Sequence, residues 1–151
     1  MYDTILIPTD GSTVATNAVD HALEVASRFD ADIHVLYVID TAAMDITFGT
    51  EQVERLKQGR FDEMPEIRDR AETATESASD RANERGIETT EAIVAGQPHR
   101  QIASYADAND IDLIVMGSAG RGGVKRALLG SVAERTLRTT DRPVLVVDAR
   151  E

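Results

Sequence analysis

Short apolar runs alternate along this chain with stretches whose apolar residues recur every three to four positions, and that alternation limits the fold more than any other feature. Thr4-Ile5-Leu6-Ile7-Pro8 lacks the polar/apolar alternation of a half-exposed strand, so it reads as a strand covered on both faces, the habit of parallel sheets. Val14, Ala18, Ala22 and Ala26 follow, with Val19 and Leu23 beside them, as an amphipathic helix that Ser12 or Thr13 is placed to cap. Residues 33–39 are a second strand, and 40–64 read as a loop with a short helix. Ile67, Ala71, Ala74, Ala78 and Ala82 mark a long helix stopped by Gly86. Residues 89–95 are a third strand, Pro98 opens a helix reaching about Asn109, and 112–116 are a fourth strand. Ser131 opens the last helix and 143–147 form the last strand.

This βαβαβαβαβ order predicts one α/β domain over residues 1–151: a single doubly wound, five-stranded parallel sheet of strand order 3-2-1-4-5, with helices on both faces and right-handed crossovers. A chain of 151 residues is long enough to bury the core of one such domain. The strand order reverses between the first and fourth strands, and open α/β sheets take their ligands outside the carboxyl ends of the strands at that switch. Two segments fall there: Pro8-Thr9-Asp10-Gly11-Ser12 after the first strand, and residues 117–131 after the fourth.

The second segment reads Gly117-Ser118-Ala119-Gly120-Arg121-Gly122-Gly123-Val124-Lys125-Arg126-Ala127-Leu128-Leu129-Gly130-Ser131, with five glycines between a buried strand and a helix start. Glycine lets the backbone approach a ligand closely, and clustered backbone N–H groups form an anion nest. The following helix adds open N–H groups and the positive end of its dipole. Arg121, Lys125 and Arg126 supply charge in a chain whose formal net charge is -11. A phosphate site and a flexible connection both fit this pattern, and Ser131-x-x-Glu134 also reads as a capping box. The segment is neither a P-loop nor a dinucleotide fingerprint: no Gly-Lys-Ser/Thr follows, and Lys125 stands where the third glycine of a dinucleotide motif belongs.

The spacing Gly117-x-x-Gly120, nine residues, then Gly130-Ser131 resembles the ATP-binding branch of the universal stress protein family. Ile5-Leu6-Ile7-Pro8-Thr9-Asp10-Gly11-Ser12, Ile114-Val115-Met116-Gly117-Ser118, Leu128-Leu129-Gly130-Ser131-Val132-Ala133-Glu134 and Arg142-Pro143-Val144-Leu145-Val146-Val147 carry the likeness along the chain. The resemblance implies an ATP-binding regulatory protein of the stress response. By the family pattern, Pro8, Thr9 and Asp10 line the ribose and adenine side, and Val38 meets adenine through its backbone. Met116 and Gly117 pack beside the nucleotide, while Gly120, Gly130, Ser131 and Val132 meet the phosphates. The pattern leaves room for a divalent cation held through those phosphates. It also implies a homodimer paired through the last strand, Val144, Leu145, Val146 and Val147, whose open edge is otherwise an aggregation risk. Ala119 departs from the histidine or arginine that family members often carry there, which removes a side-chain contact and leaves backbone contacts intact. Two other readings of the same fold are a slow ATPase or phosphotransferase, for which Asp10 is the only carboxylate in view, and a nucleotide-free interaction module.

The remaining features narrow the class. The negative charge repels phosphate polymers, so nucleic acid is not an expected partner. Lysine occurs only at Lys57 and Lys125, which leaves a salt-rich cytoplasm and an ordinary acidic protein as open readings. The absence of cysteine excludes disulfides and thiolate chemistry. No apolar run approaches a membrane span, and Met1-Tyr2-Asp3-Thr4-Ile5 carries no signal-type region, so the expected location is cytoplasmic. His21 reads as surface or packing, His34 as core or edge, and His99 as a helix cap; no pair has metal-ligand spacing. Acidic residues 51–54 and 62–76 read as solvated faces, and Met44 and Phe48 as either a flap or core.

Overall fold

Strand β1 (Thr4–Pro8) is followed by α1 (Thr13–Phe29), β2 (Asp32–Asp40), α2 (Pro65–Glu84), β3 (Thr89–Gly96), α3 (Pro98–Ala108), β4 (Leu113–Gly117), α4 (Ser131–Thr139) and β5 (Val144–Val147). The computed structural model describes residues 1–41, Glu51, Glu54, 64–119 and 129–148. Every strand pairing is parallel and the order is β3-β2-β1-β4-β5, the doubly wound sheet expected from the alternation of periods. Ile5 stands between Ile33 of β2 and Leu113 of β4, so β1 occupies the centre of the sheet. No helix among the described residues is long and apolar enough to cross a membrane.

The central strand lacks alternation because both its faces are covered. Ile5 and Ile7 pack with Ile33, Val35 and Val115 against Ala18, Ala22 and Leu23 of α1 and Ala78 and Ala82 of α2. Leu6 points the other way, into Leu36, Ile114 and Met116 beneath Ile102 and Ala106 of α3 and Ala133 of α4. Ile5, Leu6 and Ile7 are 0% exposed, and full burial of each such side chain contributes about 1.5–3 kcal/mol. The small alanines of α1 and α2 let these helices lie close to the sheet, which draws their first turns toward the exits of β1 and β2.

Several local expectations need correction. The buried stripe of α2 runs through Ala71, Thr75, Ala78, Ser79 and Ala82, while Ile67 and Ala74 are only half-buried. The Thr75 hydroxyl donates to the Glu72 carbonyl at 3.1 Å, so a polar side chain is accommodated where the apolar pattern skipped it. Asp112 precedes β4 rather than opening it: its Oδ2 accepts from the backbone N–H of Asp3 at 2.9 Å and of Thr4 at 3.1 Å. This carboxylate ties the start of β1 to the start of β4. Gly130, not Ser131, is the cap of α4, and its place is held without a side-chain bond. Gln97 occupies the cap position of α3, so His99 is its second helical residue and not its cap. Ser12 does cap α1, its Oγ accepting from the Ala15 N–H at 3.2 Å. Met44, Phe48 and most of the connection read as loop and short helix lie outside the described residues.

Candidate functional site

The exits of β1 and β4 open into one cavity of about 540 Å³, well within the range of small-molecule sites. On the β1 side, Thr9 N–H still donates to the Leu36 carbonyl at 2.9 Å, and then the chain turns. Gly11 makes that turn at φ +79, a left-handed conformation that disfavours any side chain. Asp10 Oδ1 accepts from Ser12 N–H at 2.9 Å, so the carboxylate braces the turn while lining the cavity. Bracing the turn and lining the cavity are therefore compatible in this one side chain.

β2 outruns β1. The last pairing in register is Pro8 with Leu36, and β2 continues to Asp40 along β3. Backbone groups alternate sides along a strand, so Val38 turns its N–H and C=O the same way as Leu36, toward β1. At Val38 that neighbour has ended, which leaves a peptide donor and acceptor directed into the cavity that Val38 lines.

The β4 side is built by close backbone approach. Ser118 N–H donates to the Val147 carbonyl at 2.8 Å, and Gly130 N–H donates to the Ser118 carbonyl at 2.6 Å. A Cβ on Gly130 would lie 2.9 Å from that carbonyl oxygen, and one on Gly117 would lie 2.6 Å from Val14 Cγ1. Gly130 is thus a glycine for space, since its φ of -65 suits any residue. The first bond within α4 joins Glu134 N–H to the Gly130 carbonyl. The helix leaves the N–H groups of Ser131, Val132 and Ala133 for other acceptors, and all three residues line the cavity.

Pro8, Thr9, Asp10, Val38, Met116, Gly117, Gly130, Ser131 and Val132 therefore meet around one space. Gly120, with Arg121, Lys125 and Arg126, lies outside the described residues. The family model described as the universal stress protein family matches residues 1–148. The chain belongs to the universal stress protein family. It is 35% identical over 148 residues to universal stress protein MJ0531 of Methanocaldococcus jannaschii, covering 97% of this chain and 82% of that one. The solved structure of MJ0577, a protein of the same organism, superposes with a TM-score of 0.81 at 31% identity, covering 100% of this chain and 99% of the other. A universal stress protein solved in complex with cAMP superposes with a TM-score of 0.67 at 26% identity, covering 98% of each chain.

The structure of this universal stress protein chain also brings residues to the cavity that sequence reasoning missed. Asp40 joins Asp10 as a second carboxylate, and Ile67 and Arg70 enter from the first turns of α2. Arg70 lies in the segment read as a solvated face. The overlooked signal is its three-residue spacing from Ile67, which places both on one side of the helix. Ile102 and Pro98 of α3 supply apolar wall on the opposite side of the sheet. Residues Glu51 and Glu54 are exposed, as the acidic pattern implies.

None of the three histidines lines this cavity. His21 is exposed on α1. His34 is half-buried on β2, where Nδ1 and the Tyr105 hydroxyl lie 2.7 Å apart and the two rings meet edge to face at 5.6 Å. Burial lowers the His34 pKa from its usual 6.5, against a smaller raising influence of Asp32, and burial raises that of Tyr105. This pair stitches α3 to the sheet.

Proposed function

We propose that this chain binds ATP across the β1/β4 switch and works as a nucleotide-responsive regulatory protein of the stress response. The observation that carries the reading is convergence: Pro8 and Gly130, more than a hundred residues apart in the chain, line one cavity with Asp10, Val38, Gly117 and Ser131. The chemistry of its two ends differs in the way a nucleotide requires. Near β2 there is apolar wall with an open peptide edge at Val38, suited to a purine. At α4 there are N–H donors and a positive helix end, suited to phosphate. Asp10 stands between them at the exit of β1, in reach of a ribose that bridges the two. The cAMP complex of a related universal stress protein supports an adenine nucleotide as ligand. A divalent cation would be carried in with the phosphate chain.

β5 is a sheet edge, and Val144, Leu145 and Val146 on it are only half-buried. Pairing of this edge with its counterpart in a second copy would complete the row of backbone hydrogen bonds and cover those side chains. A homodimer is part of the same proposal.

Two measurements test it. Mass spectrometry of small molecules released from the purified, denatured protein is expected to find an adenine nucleotide. Calorimetry on stripped protein is expected to show saturable binding of ATP. Absence of both signals, with ADP and AMP also silent, overturns the assignment. Sedimentation equilibrium at micromolar concentration is expected to give the mass of a dimer; a monomer mass rejects the β5 pairing.

A further inference from the structure

The proposed ligand poses an electrostatic problem. ATP is strongly anionic, and Asp10 and Asp40 place two carboxylates in the wall of the cavity. Among the described residues, Arg70 is the one cationic side chain that lines it. Other arginines of α2 and its C-cap are engaged by neighbours: Arg68 with Glu72 at 3.1 Å, Arg81 with Asp20, and Arg85 with Glu24 at 3.9 Å. Arg70 makes no hydrogen bond or ion pair among the described residues, although it is surrounded by an acidic chain.

Its position is central. Arg70 also lines a second cleft of about 350 Å³ between α1 and α2, which it shares with Thr9, Gly11 and Thr16. Thr9 and Gly11 flank Asp10, so the arginine lies over the exit of β1. That exit is midway between the peptide edge at Val38 and the N–H groups at the start of α4. We propose that Arg70 is a phosphate-binding residue, its guanidinium closing on the ribose-proximal part of the phosphate chain from the α2 side while α4 holds the chain from below. A planar guanidinium suits this task, because it offers paired N–H donors to two oxygens of one phosphate. The inference rests on the nucleotide reading above and adds to it a cation from outside the glycine segment.

The test is calorimetry of wild type, Arg70→Met and Arg70→Lys with ATP, AMP and adenosine at one fixed salt concentration. Arg70→Met is expected to weaken ATP and AMP by about 10- to 100-fold, the range for a charge-assisted hydrogen bond. Adenosine, which lacks phosphate, is expected to bind all three proteins within about twofold of one another, well below the tenfold that one such bond represents. Arg70→Lys should fall between, retaining the charge and losing the paired geometry. Because Arg70 is exposed, unfolding curves of the variants should overlay that of the wild type. Equal loss for ATP and adenosine would place Arg70 against base or sugar and overturn the phosphate assignment. Unchanged ATP affinity would overturn it as well, with the nucleotide reading intact. A wild-type protein that binds none of the three ligands removes the nucleotide reading itself, and the role of Arg70 falls with it.

Discussion

Gly117→Ala tests whether the floor of the cavity is set by backbone approach between β4 and α1. The new Cβ would lie 2.6 Å from Val14 Cγ1, against the 3.5–4.0 Å that carbon pairs prefer, so the overlap is about 1 Å. Val14 is β-branched and helical, with one strongly favoured rotamer, and turning it away costs about 0.5–1.5 kcal/mol. Moving the first turn of α1 instead is an overpacking response worth about 1–3 kcal/mol. The substitution also removes conformational freedom from the unfolded chain, which offsets about 0.4–1 kcal/mol. The net expectation is a destabilisation of up to about 2 kcal/mol, or a fall in Tm of up to about 8 °C for a domain of this size. Thermal unfolding of Gly117→Ala, Val14→Ala and the double variant resolves the cause. Removing Cγ1 leaves the Val14 backbone carbon and oxygen as nearest atoms, each at 3.2 Å, a tight but survivable contact. The double variant should therefore be more stable than the sum of the single changes predicts, by about 1 kcal/mol. Strict additivity refutes the packing argument.

Other expectations follow from the same geometry. Gly130→Ala should both destabilise the fold by about 1–3 kcal/mol and weaken ATP, because the Cβ would press on the Ser118 carbonyl at 2.9 Å and part the 2.6 Å bond beside it; unfolding curves and calorimetry on one sample check both. Asp112→Ala should cost about 1–3 kcal/mol in urea unfolding by stripping the acceptor from the N–H groups of Asp3 and Thr4, while nucleotide affinity is kept. His34 binds its proton less readily folded than unfolded, so the unfolded chain takes up the extra proton as pH falls below 6.5. Its contribution is thus lost on acidification from 6.5 down to its lowered folded value, and His34→Gln should flatten the stability–pH slope in that window; an unchanged slope counts against the burial argument.

The sheet was legible because its signal is redundant. Ile5-Leu6-Ile7 and Leu113-Ile114-Val115-Met116 are buried on both faces, so each residue in the run reports the same environment. Asp10, Gly117 and Gly130 were legible for a different reason: turns and close approaches restrict residue type locally. The stripe of α2 was less so, since Thr75 and Ser79 are small enough to be buried beside alanine and carry no apolar mark. Ser131 opens α4 as its sequence position implies, but the capping-box alternative offered by its spacing to Glu134 fails, because Gly130 holds the cap position beside Ser118, a non-local contact. Asp40, Ile67 and Arg70 went unnoticed for the same cause. Their place in the wall depends on how far β2 outruns β1 and where α2 begins relative to the exit of β1. Neither is a property of the residues themselves.

The short bond between Gly130 and Ser118 has a consequence for how sequences of this kind can diverge. It brings together, on the finished scaffold, the two ends of the glycine-rich stretch 119–129. The stretch is in effect a cassette with a fixed socket. For a flexible stretch between fixed ends, lengthening costs only the slow logarithmic increase of loop closure, about 0.6 kcal/mol for each doubling. Replacement of residues 119–129 by segments of other length and charge should therefore leave the rest of the fold intact while retuning what the cavity admits. New ligand preferences can then arise by exchange of one contiguous piece of chain, without renegotiating the core.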